Sequence, residues 1–223
     1  MQTDPLTSPV LFHVGPAAIT APVVVTWGIM AMLAIGCSLV TRRLAPRPDR
    51  RQAVLELVVA TVADQIADVM RADARPFVPL LGTLFIFLAA ANLSGVLPGI
   101  EAPTGTLETP AALALIVFGS VHYFGVRSQG FLGYLRSFAR PRLVMLPLKL
   151  IGEVTRTFSL MVRLFGNVMS GAFVIGLAVA LAGLVVPVPL MILEILVGLI
   201  QAYIFTILAA VFIGAAVGTI ETE

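Results

Sequence analysis

Charge is what this chain has least of. Only 12% of its 223 residues are Asp, Glu, Lys or Arg, and 59% are hydrophobic, where a soluble globular domain carries about 25% charge. With a mean hydropathy of +1.03, that balance excludes a soluble enzyme and points to an all-α membrane protein that crosses the bilayer several times. Cysteine is nearly absent: Cys37 alone cannot build a disulfide framework and reads as a small buried hydrophobe in an apolar stretch. Two histidines and no Cys/His or carboxylate cluster at ligand spacing leave no metal site to expect, and no cofactor. Neither G-x-x-x-x-G-K-[ST] nor G-x-G-x-x-G occurs, which argues against nucleotide chemistry, and no aromatic-laced basic face suggests nucleic acid. An ion gradient or a partner protein must therefore supply any energy used.

What is present is a series of apolar runs within one membrane domain, 1–223. Residues 1–20 hold no Lys or Arg and no basic n-region, which suits a short outer tail rather than a cleaved signal peptide. The first span is expected over 21–40, long enough for a 30 Å core at about 1.5 Å per residue. Five arginines, Arg42, Arg43, Arg47, Arg50 and Arg51, follow it and mark that end as cytoplasmic. Residues 51–75 mix Glu56, Asp64, Asp68, Arg71 and Arg75 with Leu55, Val58, Val62, Ile66 and Val69, the pattern of an amphipathic surface helix. Further spans are expected over 77–97 and 110–126, then a cytoplasmic loop over 127–145. Two long apolar segments follow, 146–186 and 190–219. Twelve of the fourteen Lys and Arg residues fall in the two proposed cytoplasmic stretches, 41–75 and 127–149, leaving only Arg156 and Arg163. The count of about five spans puts the N-terminus outside, in the periplasm, and the C-terminus in the cytoplasm.

Arg163 is the residue around which the chain is organised. A cation in the middle of an apolar span costs about 2.5–3.5 kcal/mol on insertion scales, so it needs a partner or a hydrated cavity. Arg156, Ser159, Arg163, Asn167 and Ser170 lie three or four apart and form one polar stripe. The segment 146–186 could be two spans joined by a turn, yet a stripe that keeps helical phase favours one long helix. On the last segment Glu194, Gly198 and Gln201 share a face. Glu194 near one membrane side and Glu153 near the other suggest two partial hydrated paths separated by Arg163. Gly166, Ser170, Gly171 and Gly198 also suit ordinary close helix packing. His122, beside the basic loop, reads either as a proton-relay group or as an interfacial packing residue.

The segment S-L-M-V-R-L-F-G-N at 159–167 resembles the arginine-helix signature of subunit a in the membrane sector (F0) of F-type ATP synthases. N-L-S-G-V-L-P at 92–98, E-V-T-R-T-F-S-L at 153–160 and L-I-Q-A-Y-I-F at 199–205 support the resemblance, which covers about residues 75–219. It implies that Arg163 faces the carboxylate of a rotating ring of c subunits, with Asn167 and Gln201 as its polar neighbours. The last two spans would then be long, tilted and packed against that ring. Ions, H+ or Na+ according to the ring, would enter by one half-channel and leave by the other. Glu194 would lie in the outer half-channel, with Asn92 and Ser94 as its lining, and Glu153 near the inner one. Chemical catalysis would belong to the soluble F1 head, and b-type peripheral-stalk subunits would be further partners. The chain departs from the family pattern at Gly95, where many bacterial members carry Asp, at Ala172, often Glu or His, and at Thr157, often Pro. Glu194 stands where some relatives have His; with Gly95 and Ala172 not ionisable, the outer path would either rely on Glu194 for most of its relay or be water-filled, with Asn92 and Ser94 as lining.

Two other classes compete. A secondary transporter with an intramembrane Arg–Glu gate predicts an internal repeat, and the first spans contain no counterpart of the Arg163 helix. A structural anchor predicts that Arg163 pairs with an acid inside the same chain.

Overall fold

The computed structural model describes residues 10–14, 17–41, 50–71, 73–96, 102–139, 145–183 and 186–218. Their order is β1 (Val10–Val14), β2 (Ala17–Thr20), α1 (Ala21–Thr41), α2 (Arg50–Met70), α3 (Val78–Ser94), a 3-10 turn (Pro103–Gly105), α4 (Glu108–Gln129), α5 (Phe131–Ala139), α6 (Met145–Ala182) and α7 (Pro187–Val217). Among the described residues four stretches are long and apolar enough to cross a membrane, Ala21–Leu39, Glu108–Gln129, Pro147–Leu181 and Pro187–Val217, and α3 is a shorter apolar helix. The fold is that of an all-α polytopic membrane protein. In hydrocarbon a helix satisfies its own backbone polar groups, and α1, α3, α4, α6 and α7 do so.

Two elements differ from the linear reading. The proposed N-terminal tail carries an antiparallel hairpin, with Val10 opposite Thr20 and Val14 opposite Ala17. At its end the Thr20 hydroxyl donates to the Glu108 carboxylate at 3.2 Å, tying the hairpin to the first turn of α4. The proposed loop 127–145 contains α5. Gly130, at φ +73°, breaks the chain away from α4 in a conformation that favours glycine. Beyond it Phe131, Tyr134 and Leu135 recur at helical spacing. Tyr134 packs so closely on Gly125 of α4 that a Cβ there would overlap its ring. Phe131, Leu132 and Leu135 are exposed.

The centre of the bundle is α7, which packs against α3, α4, α6 and α2. Its buried face runs Gly198, Gln201, Ala202, Phe205, Ala209, Ala210 and Ile213, steps of three and four with an occasional neighbour. Four of these are Gly or Ala, which lets neighbouring backbones approach where burial of oily surface gives no drive between helices in lipid. Opposite them lie Leu81, Leu88 and Ala91 of α3 and Val117 of α4. From the side, α2 covers α7 with Ile66 and Met70 fully buried while Glu56, Asp64 and Asp68 face outward. The Tyr203 hydroxyl donates to Gln65 Oε1 at 2.7 Å, pinning α2 to α7.

Unbroken over 38 residues, α6 is about 57 Å long, nearly twice a 30 Å hydrocarbon core. It ends at Gly183, in the left-handed region at φ +72°, and α7 begins on Pro187, whose missing N–H costs nothing at a helix start. Among the described side chains of α6 the buried ones form one stripe, Leu160, Leu164 and Val168. The other side, with Val154, Phe158, Val162, Phe173 and Leu177, is exposed.

Candidate functional site

The polar stripe that the sequence picks out on α6 lies along or beside this exposed side, whereas Glu153 is half-buried. Arg156, Ser159, Arg163 and Ser170 are exposed and Asn167 is half-buried. Arg156 is spoken for: it pairs with Glu153 at 3.6 Å and sits 5.5 Å from the Phe212 ring centroid. Arg163 is not. Among the described residues no acid lies within ion-pair distance of it. The helical period explains its placement, because Arg163 directly precedes Leu164, which is fully buried, and adjacent positions on a helix are about 100° apart.

Glu194 reaches α6 from α7. It is half-buried and pressed on Gly171: a Cβ at that position would come 2.6 Å from Glu194 Oε1. Glycine in a helix interior costs about 1 kcal/mol relative to alanine, and here it makes room for the carboxylate. Together with Asn92, Asn167, Ser170, Gly171 and Gly198, Glu194 lines a cavity of about 210 Å3. Glu194 is the only ionisable residue of that lining. Eight residues along α6 separate Gly171 from Arg163, so the acid and the unpaired cation stand about 12 Å apart along the helix axis. Ser170 Oγ donates to the Asn167 carbonyl at 3.0 Å.

Buried polar groups complete the inward side. Asn92 Nδ2 donates to the Gly198 carbonyl at 2.9 Å, and Thr104 Oγ1 donates to Asn92 Oδ1 at 2.9 Å. Ser94 is half-buried and donates to its own helix at Ala91 O, 2.7 Å. Gln201 is buried, and its Nε2 has no hydrogen-bond partner among the described residues. A buried amide left unpaired is rare in folded proteins and marks a place where a polar partner belongs.

The opposite end of α6 gathers a second group. His122 Nδ1 lies 2.9 Å from the Phe118 carbonyl, and the ring packs on Phe118 and Tyr134 at centroid distances of 4.3 and 5.9 Å. Burial, with the Glu153 charge adding to it, pushes the Tyr134 phenol up to about 12, so it keeps its proton at any physiological pH. The structure thus gathers Glu194, Asn92 and Asn167 about one cavity and places Glu153, Arg156, Tyr134 and His122 near one another elsewhere. Sequence reading missed Thr104 and Tyr134 and saw Gly171 only as a packing position. Their partners lie on other elements, and no helical spacing signals them.

Among the described residues no group of His, Cys, Asp and Glu could hold a metal ion. The arrangement defines a class: a multi-pass membrane protein carrying an unpaired cation on one face of a long helix and an acid-lined cavity beside it. The family model "ATP synthase A chain" matches residues 23–214. "ATP synthase subunit a 2" of Bradyrhizobium sp. (strain BTAi1) is 73% identical over 220 residues, covering 99% of each chain. "ATP synthase subunit a" of Albidiferax ferrireducens is 47% identical over 200 residues, 89% of this chain and 87% of that one. A third, "ATP synthase subunit a" of Nitrosospira multiformis, is 42% identical over 209 residues. This chain belongs to the F-type ATP synthase subunit a family. Its role is accordingly that of the ion-translocating F0 subunit within the multisubunit complex that makes ATP.

Proposed function

We propose that the chain is the stationary partner of a ring of c subunits and offers the ring carboxylates two offset half-channels. The observation that carries this reading is Arg163: a cation amid apolar surface, exposed, with no acid of the described chain beside it. Its counter-charge has to come from outside, and a carboxylate passing on a rotor supplies one. Around it Phe158, Val162 and Phe173 offer an apolar face of the kind a second membrane helix would cover. Gly166, with open space beside it, leaves room for close approach.

The physics of such a site is simple. Opposite charges about 4 Å apart interact by roughly 4 kcal/mol at an effective dielectric of 20. Arg163 therefore holds each arriving carboxylate ionised, and its fixed charge repels a cation that would slip directly between the half-channels. The cavity lined by Glu194 and Asn92 supports an outer path and the Glu153 group an inner one, with the N-terminus outside, the C-terminus inside and the protein in the bacterial inner membrane. Gln201 Nε2, buried and without a partner among the described residues, suits a polar group that the assembled complex or water supplies. The coupling ion is H+, or Na+ where the ring binds it. B-type peripheral-stalk subunits are further partners within the complex.

A crosslink tests the reading. With Cys37 removed, one cysteine replaces Asn167 and another is placed beside the c-subunit carboxylate in native membranes. Efficient disulfide formation across the two subunits is expected. No crosslink in an assembled complex whose two cysteines both react with a small thiol reagent would send the search for Arg163's partner back inside this chain.

A further inference from the structure

We infer that Thr104, in the 3-10 turn between α3 and α4, is a positioning residue for ion relay through the Glu194 cavity. The inference rests on the proposed half-channel and adds a residue to it. Thr104 is fully buried, and so is Pro103 beside it. A polar side chain at 0% exposure in a connecting turn needs a reason.

The bond directions supply one. The Gly198 carbonyl can only accept, so the Asn92 amide must turn its NH2 toward it. That leaves Asn92 Oδ1 pointing at Thr104, and an acceptor there obliges the Thr104 hydroxyl to donate. Each group therefore sets the next: the Gly198 carbonyl selects the amide orientation, and the Thr104 hydroxyl satisfies the buried Oδ1 and holds the amide in place. Asn92 Nδ2 carries two hydrogens, and Gly198 engages one. Asn92 lines the Glu194 cavity, so the second N–H is a donor held in the space where the carboxylate exchanges its ion.

The same turn also bears on the walls of the cavity. A Cβ at Gly105 would touch Val168 of α6 at 3.6 Å, and a Cβ at Gly198 would come 3.0 Å from Asn92 Cβ. Helices α3, α6 and α7 thus converge on Thr104 and its neighbours. Gly198 lies one turn beyond Glu194 on α7, so fixing the Asn92–Gly198 contact fixes the height of the carboxylate against Gly171.

The experiment measures coupled ion pumping by the complete complex in inverted vesicles from pH 6 to 9 for Thr104→Val, Thr104→Ser and Thr104→Cys, with Glu194→Gln alongside. Valine keeps the shape of threonine and removes the donor. Its expected effect is a loss of about tenfold in pumping rate, the size of one buried hydrogen bond, and a displaced pH profile. Serine restores both, and cysteine, a weak donor, falls between them. Should the valine variant fail to assemble, the serine and cysteine variants decide by their order. Equal rates and identical pH profiles in all three variants, or a loss in the serine variant as deep as in the valine one, would overturn the inference. If Glu194→Gln lowers pumping while the Thr104 series stays flat, the half-channel stands and only the role of Thr104 falls. Unchanged pumping in Glu194→Gln would remove Glu194 from the relay, and with it the reading on which this inference rests.

Discussion

Replacing Arg163 by leucine is expected to abolish ion-coupled ATP synthesis and ATP-driven pumping while the complex still assembles. Assembly survives because the side chain is exposed and has no ion pair within the described chain. Leucine even removes the insertion cost of about 2.5–3.5 kcal/mol that a central arginine carries. Coupling fails because an interaction of roughly 4 kcal/mol between Arg163 and the ring carboxylate is lost. At 1.4 kcal/mol per factor of ten that is close to a thousandfold in the population of the ionised carboxylate. Passive ion leak through the complex should rise at the same time, since the fixed charge between the two paths is gone. Arg163→Lys keeps the charge but not the planar fork of donors, so it should retain a small part of the coupled rate. ATP-driven quenching of a pH-sensitive dye in vesicles, read with the leak after the ATP is exhausted, separates the three outcomes. Wild-type coupling in Arg163→Leu would rule out the rotor interface.

Glu194→Gln is expected to slow ion flux by about a hundredfold, the lower range for removing a positioned acid–base group, and to flatten its dependence between pH 6 and 9. No second ionisable group lines the cavity to take over. Gly171→Ala provides a sharper version of the same test. The added Cβ would sit 2.6 Å from Glu194 Oε1, and the far end of a flexible side chain moves aside at little cost. Alanine also improves a helix interior by about 1 kcal/mol over glycine. Thermal stability of the purified complex should therefore hold or rise while flux falls. A general packing defect would lower both together. Flux equal to wild type in both variants would remove Glu194 from the relay.

The polar stripe of α6 shows how far linear reasoning reaches. Spacing alone puts Arg156, Ser159, Arg163, Asn167 and Ser170 on one side of a helix, because the period of 3.6 is a property of the backbone. It does not say what that side faces. In the structure Arg156 takes Glu153 as a partner and Arg163 takes none of the described acids, a distinction that depends on where α6 leans against its neighbours. The last helix is similar. Glu194, Gly198 and Gln201 share a side by spacing, yet Gly198 and Gln201 are buried against the bundle while Glu194 reaches across to α6.

From its composition the chain was legible as an all-α membrane protein, since 12% charge and long apolar runs leave no other solvent for it. The nonapeptide at 159–167 pointed to the family. Local chemistry could not show α5, whose nine residues hide in a basic loop, or the hairpin at Val10–Thr20. Nor could it pair Thr104 with Asn92 and Asn92 with Gly198, the last two 106 residues apart. Apolar segments and the phase of the polar stripe follow from the order of residues because hydrophobicity and helical period act locally. Which polar atom meets which was decided only by the closure of α3, α6 and α7 around one turn, since a hydrogen bond needs both partners within about 3 Å and that distance is a property of packing.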